Sequence, residues 1–241
     1  QLQVPVVYHR KLWEFVYILQ ALYEYDLLKA GKKGLGFGCG EEPIPSLLAS
    51  YDISITATDL APNESAAKGW IETKQNTSSI EKIRHPHLCS QEMFFKNVSL
   101  EYADMNNIPT YLDEKYDFCW SACALEHLGT IEKGLQFIEN SLRTLVPGGV
   151  CIHTTEFNYL EAEKTIDNCS TVLFRKQDFE AIASRLTAAG HQVAPLDFNI
   201  GSGVLDRFVD LPPYGGEDAH LKLLVEKFAS TSFGIIGRKA K

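Results

Sequence analysis

The sequence predicts an α/β fold, a doubly wound and mostly parallel sheet with helices on both faces. Three observations carry this reading. Short apolar runs of strand length alternate with stretches of helical periodicity. A glycine-rich turn closes the first run, and polar residues stand at the ends of several later ones. In such sheets ligands bind at the carboxyl ends of the strands, where the strand order reverses.

Leu12, Phe15, Val16, Leu19, Leu22 and Tyr23 recur at the spacing of a one-sided apolar helical stripe, so residues 1–32 are read as an N-terminal covering helix beside the glycine turn. Leu35-Gly36-Phe37-Gly38-Cys39-Gly40 reads as a strand and tight turn. Asp59 stands nineteen residues after Gly40, closing a β-branched run over 53–58. A unit of this kind binds a nucleoside: glycines allow close backbone approach, and an acid about 20 residues on accepts hydrogen bonds from ribose hydroxyls.

Residues 63–76 look helical, and 75–91 is a polar connection broken by His85-Pro86-His87. Two histidines flanking a proline, without cysteine or acidic partners, read as surface residues rather than metal ligands. A third strand over 98–102 leads to Asp104-Met105. A fourth over 116–121 leads to Glu126-His127 and a helix over 130–145, after which Pro147-Gly148-Gly149 turns into a fifth strand over 150–154. A helix over 177–189 ends at Gly190, and strands follow near 192–198 and 231–237. Gly38, Asp59, Asp104, Ser121, Glu126 and His153 thereby gather at predicted strand ends.

With 241 residues, 45% hydrophobic and 22% charged, the chain reads as one soluble domain, residues 33–160 forming the cofactor-binding half and 161–241 the C-terminal half. A formal net charge of -8 argues against a broad phosphate-binding face. The six cysteines include no Cys-x-x-Cys pair and read as reduced residues of a cytoplasmic protein. Asn-x-Ser/Thr triplets begin at Asn63, Asn76, Asn97 and Asn168, but no secretion signal accompanies them. No apolar run reaches the roughly 20 residues a spanning helix requires.

The glycine turn, Asp59, Asp104-Met105 before Ile108-Pro109, and Tyr116-Asp117-Phe118 leading through Leu125-Glu126-His127 to Pro147-Gly148-Gly149 together resemble the class I S-adenosylmethionine-dependent methyltransferases. The resemblance is strong over 34–158. It implies a Rossmann-like sheet of seven strands with an antiparallel last strand, and S-adenosyl-L-methionine as cofactor. Gly36, Gly38 and Gly40 would face its methionine part, and Asp59 with the following Leu60 its ribose. Asp104 and Met105 would meet the adenine, and Ser121 would lie near the methionine end. The family has an acid where Gly36 stands and a third glycine where Glu42 stands, so Glu41 or Glu42 is expected to hold the cofactor's amino group.

A narrower similarity, carried by Glu126-His127 and Glu156-Phe157-Asn158, is to small-RNA 2′-O-methyltransferases, whose metal motif here has Cys123 in place of its first Glu. Glu126, His127 and His153 are a candidate site for a divalent metal, or with Glu156 an acid/base cluster or a purely structural hydrogen-bond network. The expected reaction is methyl transfer to a small-molecule or glycan-type acceptor, at a hydroxyl deprotonated by His127 or His153. RNA as acceptor, a non-catalytic adenosylmethionine-binding partner and a nicotinamide-dependent oxidoreductase are the alternatives. A loop over 201–216, with Phe208 and Tyr214, is expected to border the acceptor.

Overall fold

The computed structural model describes residues 8–62, 76–160, 163–214 and 219–241. The helix expected over 63–76 lies outside the described residues except for Asn76. Strands β1 (Lys33–Phe37), β2 (Ser54–Asp59), β3 (Val98–Tyr102), β4 (Tyr116–Ala122), β5 (Leu145–Asn158), β6 (Gln192–Val193), β7 (Lys222–Val225) and β8 (Phe228–Arg238) form one sheet. Around it lie α1 (Arg10–Glu24), α2 (Ile44–Ser50), α3 (Gln91–Asn97), α4 (Ile131–Ser141) and α5 (Lys176–Ala188).

The strand order is β3-β2-β1-β4-β5-β8-β6, with β7 paired to β8. β3 through β5 run parallel, whereas β8 is antiparallel to β5 over nine residue pairs from Val150↔Arg238 to Asn158↔Ser230. β7 is an eighth strand that the sequence does not announce. Its hairpin turn is Glu226-Lys227, with Glu226 at φ 54, and lacks the glycine or asparagine that usually marks a two-residue hairpin.

Alternation along β1 explains how one short strand serves both faces of the sheet. Leu35 and Phe37 enter the layer beneath α4 and α5 with Phe137, Phe179 and Ile235. Gly34 and Gly36 stand opposite Phe118 and Trp120 of β4, which fill the other layer with Leu22, Leu48 and Phe94. A Cβ on Gly34 or Gly36 would come within 2.5 Å of those aromatic rings. The glycines are thus required by packing as well as by the turn.

Several boundaries differ from expectation for local reasons. α1 is rotated relative to the expected stripe: Glu14, Ile18, Leu19, Ala21 and Leu22 are buried, while Val16 and Tyr23 are exposed. A buried glutamate in place of an exposed valine signals that ionic contacts help set the helix's orientation. α3 follows the polar connection, before β3, capped by the Ser90 hydroxyl accepting from the Met93 amide at 3.3 Å, and buries little beyond Phe94 and Asn97. α4 stops at Ser141 with a tight turn over 142–144, and β5 already begins at Leu145. Pro147-Gly148-Gly149 forms an irregularity within β5, where pairing shifts between Tyr116↔Leu145 and Phe118↔Val150. Of the run over 192–198, Gln192–Val193 form the strand, and the Ala194 amide adds one bond to the Ile236 carbonyl of β8 at 3.0 Å.

Candidate active site

β1 and β4 are neighbours, yet the chain leaves β1 toward β2 on one side and β4 toward β5 on the other. At this reversal, above the carboxyl ends of the strands, lies a cavity of about 950 Å³. Gly38, Gly40, Asp59, Asp104 and Met105 line one part of it, and Lys11, Cys123 and His127 another.

The first wall is set by backbone. Gly38 and Gly40 have φ of 59° and 53°, the left-handed region that glycine enters without a Cβ penalty. The Cys39 amide donates to the Thr58 carbonyl at 3.0 Å and the Thr58 hydroxyl to the Gly36 carbonyl at 2.8 Å, which ties the turn to β2. Asp59 then faces the turn. Its carboxylate accepts from the amides of Gly40 (3.2 Å), Leu60 (2.8 Å) and Thr77 (2.8 Å) and from Asn76 Nδ2 (3.1 Å). Burial nevertheless raises its pKa against those four bonds. Leu60 follows on the cavity lining. Asp104 accepts from the Asn106 amide at 2.8 Å, and Met105 is buried beside Gly38.

Glu42 occupies the floor near the glycine turn. Trp120 Nε1 donates to its carboxylate at 2.6 Å, and burial pushes its pKa up to about 7 despite that bond and the nearby Lys11. The same Trp120 ring closes the space a side chain at Gly36 would need. Glu41 also borders the cavity, but it is exposed and pairs with Lys82 at 3.4 Å. Of the two glutamates expected near the cofactor's amino group, Glu42 is the one held inside the fold.

On the opposite side, a tight turn over Leu125–His127 follows β4. His127 Nδ1 lies 3.0 Å from the Ser170 carbonyl and 3.2 Å from the Thr171 hydroxyl, and its Nε2 lies 3.9 Å from Glu126 Oε1. A carbonyl only accepts, so the proton of the neutral ring sits on Nδ1 and Nε2 keeps its lone pair. Glu126 is fully buried, takes a hydrogen bond from Thr155 at 3.0 Å through Oε2, and has no hydrogen-bond partner at Oε1 among the described residues.

Behind this wall α1 inserts charge. Arg10 Nη1 lies 2.6 Å from Glu156, 3.1 Å from Cys123 Sγ and 3.4 Å from Glu14. Lys11 Nζ donates to the Ala122 carbonyl at 2.9 Å and pairs with Glu14 at 3.3 Å. Ser230 and Ser232 of β8 donate to Glu156 and Glu14. Burial alone would raise the pKa of Glu14, but Lys11 and Arg10 outweigh it and hold the group below its ordinary value. Glu156 goes the other way, raised by burial more than Arg10 lowers it.

Glu126 is therefore brought beside both His127, which lines the cavity, and Glu156, buried with it behind the wall, but His153 lies apart. It is fully buried, with Nδ1 2.9 Å from Ser121 Oγ, Nε2 3.0 Å from Ser141 Oγ, and the Phe137 ring 5.1 Å away. Burial lowers its pKa to about 3, so it is neutral. With both ring nitrogens engaged in the core, His153 joins no metal set with Glu126 and His127, and Ser121 turns to it rather than to the cavity. Cys123, Glu126 and Glu156 do converge, their ligand atoms all within 4.8 Å of one another, but Arg10 contacts two of the three. That set does not fit a divalent metal as it stands.

Arg10, Lys11, Glu14 and Phe15 were not singled out from the sequence as site residues. The available signal was the i, i+3, i+7 spacing of Lys11, Glu14 and Ile18, which puts a glutamate on an apolar face. In the loop over 201–216, described as far as Tyr214, Phe208 and Tyr214 are about two-fifths exposed and neither lines the cavity. His85 meets the Glu41 carbonyl at 3.1 Å and the ring of His87 rather than an acidic cluster. No helix among the described residues is long and apolar enough to cross a membrane.

A family model described as a methyltransferase domain matches residues 35–153, the span from β1 into β5 that carries the glycine turn, Asp59, Asp104 and His127. No match is found among curated proteins. Solved structures agree in fold. One described as a sarcosine dimethylglycine methyltransferase from Galdieria sulphuraria is 15% identical with a TM-score of 0.59, covering 95% of this chain and 86% of that one. The methyltransferase domain of bacterial CtHen1 is 19% identical with a TM-score of 0.55, covering 93% and 96%. A methyltransferase from Methanosarcina mazei is 17% identical with a TM-score of 0.55, covering 91% and 97%. The matched span and the cavity at the strand reversal lead to one conclusion: residues 35–153 are a methyltransferase domain, and the fold around it is that of S-adenosylmethionine-dependent methyltransferases.

Proposed function

We propose that the protein methylates a hydroxyl oxygen of a small-molecule or glycan-type acceptor, with His127 as general base. The observation that carries this reading is the placement of His127 on the cavity wall, its Nδ1 turned to the Ser170 carbonyl so that Nε2 is the basic nitrogen. Bound adenosylmethionine supplies a methyl group already activated on a sulfonium. The chain's own residues then align the acceptor, exclude water and take one proton. His127 accepts the hydroxyl proton at Nε2, and the imidazolium so formed faces the Glu126 carboxylate, 3.9 Å away. Glu126 needs no other role than to favour that charge.

On the cofactor side, Gly38 and Gly40 give backbone access, and Asp59 with Leu60 borders the ribose. Asp104 and Met105 border the adenine, and Glu42 takes the amino group. An acid at Glu42 in place of one at Gly36 fits the packing, since Trp120 fills the space beside Gly36 and donates to Glu42.

RNA as acceptor is the alternative reading. The Glu126-His127 pair favours it; the net charge of -8 and the thiol at Cys123 oppose it. Labelled adenosylmethionine offered with panels of sugars, alcohols, amines, carboxylic acids and short RNAs separates these readings. Base-labile esters, N-methyl products or RNA labelling in place of O-methyl ethers would reject the proposal. A selective loss of ether formation in His127→Ala would support it.

A further inference from the structure

The local similarity to metal-dependent enzymes and the side chains at the same place disagree, and the disagreement has a specific author in Arg10. We propose that the guanidinium of Arg10 is the fixed cation of the acceptor-side acidic cluster, standing where a divalent metal would otherwise bind Cys123, Glu126 and Glu156. Occupancy of the cluster by Arg10 rests on side-chain geometry alone, whereas metal-independent turnover rests in addition on the proposed function.

Three contacts place the charge. Nη1 reaches Glu156 at 2.6 Å, Cys123 Sγ at 3.1 Å and Glu14 at 3.4 Å, so one nitrogen touches two of the three atoms a metal would need. Cys123 Sγ also donates to Glu14 at 2.9 Å, which requires the thiol rather than the thiolate. A thiol must lose its proton to bind a metal, and here that proton is engaged in the hydrogen bond to Glu14. Lys11 brings a second positive charge from α1 through Glu14. Three buried carboxylates, Glu14, Glu126 and Glu156, thus face Arg10 and Lys11 across the ends of β4, β5 and β8.

The arrangement is directional. Glu156 is held on its far oxygen, Oε2, by Ser230, which leaves Oε1 to the guanidinium, whereas on Glu14 the single oxygen Oε1 gathers Ser232, Cys123 and Arg10. Cys123 adopts φ 48, the left-handed region that a non-glycine residue enters at a cost, and this sets its sulfur between Arg10 and Glu14. A guanidinium cannot be deprotonated in a protein, so this cation does not dissociate with pH or chelation.

Cobalt(II) titration of the chelator-treated whole protein reads the cluster independently of turnover. Wild-type protein is expected to show no thiolate-to-cobalt charge-transfer absorption. Arg10→Met removes the guanidinium at similar length and is expected to gain that absorption, which the Arg10→Met/Cys123→Ser double variant should lose. The double variant separates Cys123 from the exposed Cys169. A Cys123-dependent band in wild-type protein, or a folded Arg10→Met protein without one, would overturn the proposal. If Arg10→Met does not fold, the wild-type titration still decides. In that case Arg10→Lys, which keeps the charge, is expected to stay without the band, and gaining it would overturn the proposal. Chelator-treated wild type should also turn over adenosylmethionine with its acceptor undiminished. Restoration by added manganese or zinc of tenfold or more would count against Arg10, while absence of transfer under every metal condition would strike the proposed function alone.

Discussion

Replacing Glu42 by glutamine is expected to stabilise the protein and weaken its hold on the cofactor at once. The carboxyl's ordinary pKa of 4.5 is pushed to about 7, chiefly by burial. The folded state therefore holds this proton more tightly than the unfolded chain, and the stability that follows is complete below the ordinary value and lost as pH rises through 7. Carried to alkaline pH the loss amounts to about 3 kcal/mol. Glutamine has no charge to bury and can still accept from Trp120 Nε1. Apo Glu42→Gln and wild-type protein should thus be similar near pH 4.5 and diverge upward, reaching roughly 6 to 12 °C in Tm for a domain of this size. Cofactor affinity should move the other way: a charge-assisted contact to an amino group is worth about 1.5 to 3 kcal/mol, or roughly 10- to 150-fold in Kd. Thermal unfolding across pH, with calorimetric titration of adenosylmethionine, measures both. Parallel stability curves would refute the buried acid, and an unchanged Kd would refute the contact.

Asp59→Ala should weaken cofactor binding by about 1 to 3 kcal/mol in titration, because three backbone amides and Asn76 lose their acceptor along with the ribose contact. His127→Ala should lower turnover by about 10²- to 10⁴-fold with cofactor Kd unchanged; equal losses in both would place His127 in binding. Gly36→Ala puts a Cβ 2.4 Å from Cys39 Sγ and 2.5 Å from the Trp120 ring, and chemical denaturation should show a loss of about 1 to 3 kcal/mol. His153, lowered by burial from 6.5 to about 3, contributes stability above the ordinary value that is lost as pH falls toward 3. A His153→Gln variant should flatten that acid limb, which spans up to about 5 kcal/mol, and an unaltered limb would remove His153 from the account.

The cofactor half was legible because its signals are local. Leu35 and Phe37 alternate with glycines inside one strand, Asp59 ends the next, and Asp104-Met105 follows a run that begins and ends where β3 does. The acceptor half was legible only in part. Glu126 and His127 share one turn, so their joint placement could be read. His153 could not be judged in the same way: its position at a strand end is visible, but which face it occupies depends on Ser121 and Ser141 meeting it across the core. Arg10 and Glu14 were hidden for the converse reason. Their partners lie 146 and 218 residues along the chain, at Glu156 and Ser232, and no local periodicity encodes such pairings. The β7 hairpin carries no sequence signal because Glu226 takes a backbone conformation usually announced by glycine.

The same long separations bear on how the molecule is made. Glu14 gains its hydrogen bond from Ser232 only after Ser232 has been synthesised and β8 has inserted beside β5, so this buried cluster is completed by the two extremes of the chain meeting. Such a contact has high sequence separation and a correspondingly large closure entropy, so it belongs late in folding. The parallel pairing of β3, β2, β1, β4 and β5 involves neither extreme. A chain emerging from the ribosome can thus pair the strands that carry the glycine turn and Asp59 well before β8 closes the buried cluster, and only the finished polypeptide joins the two.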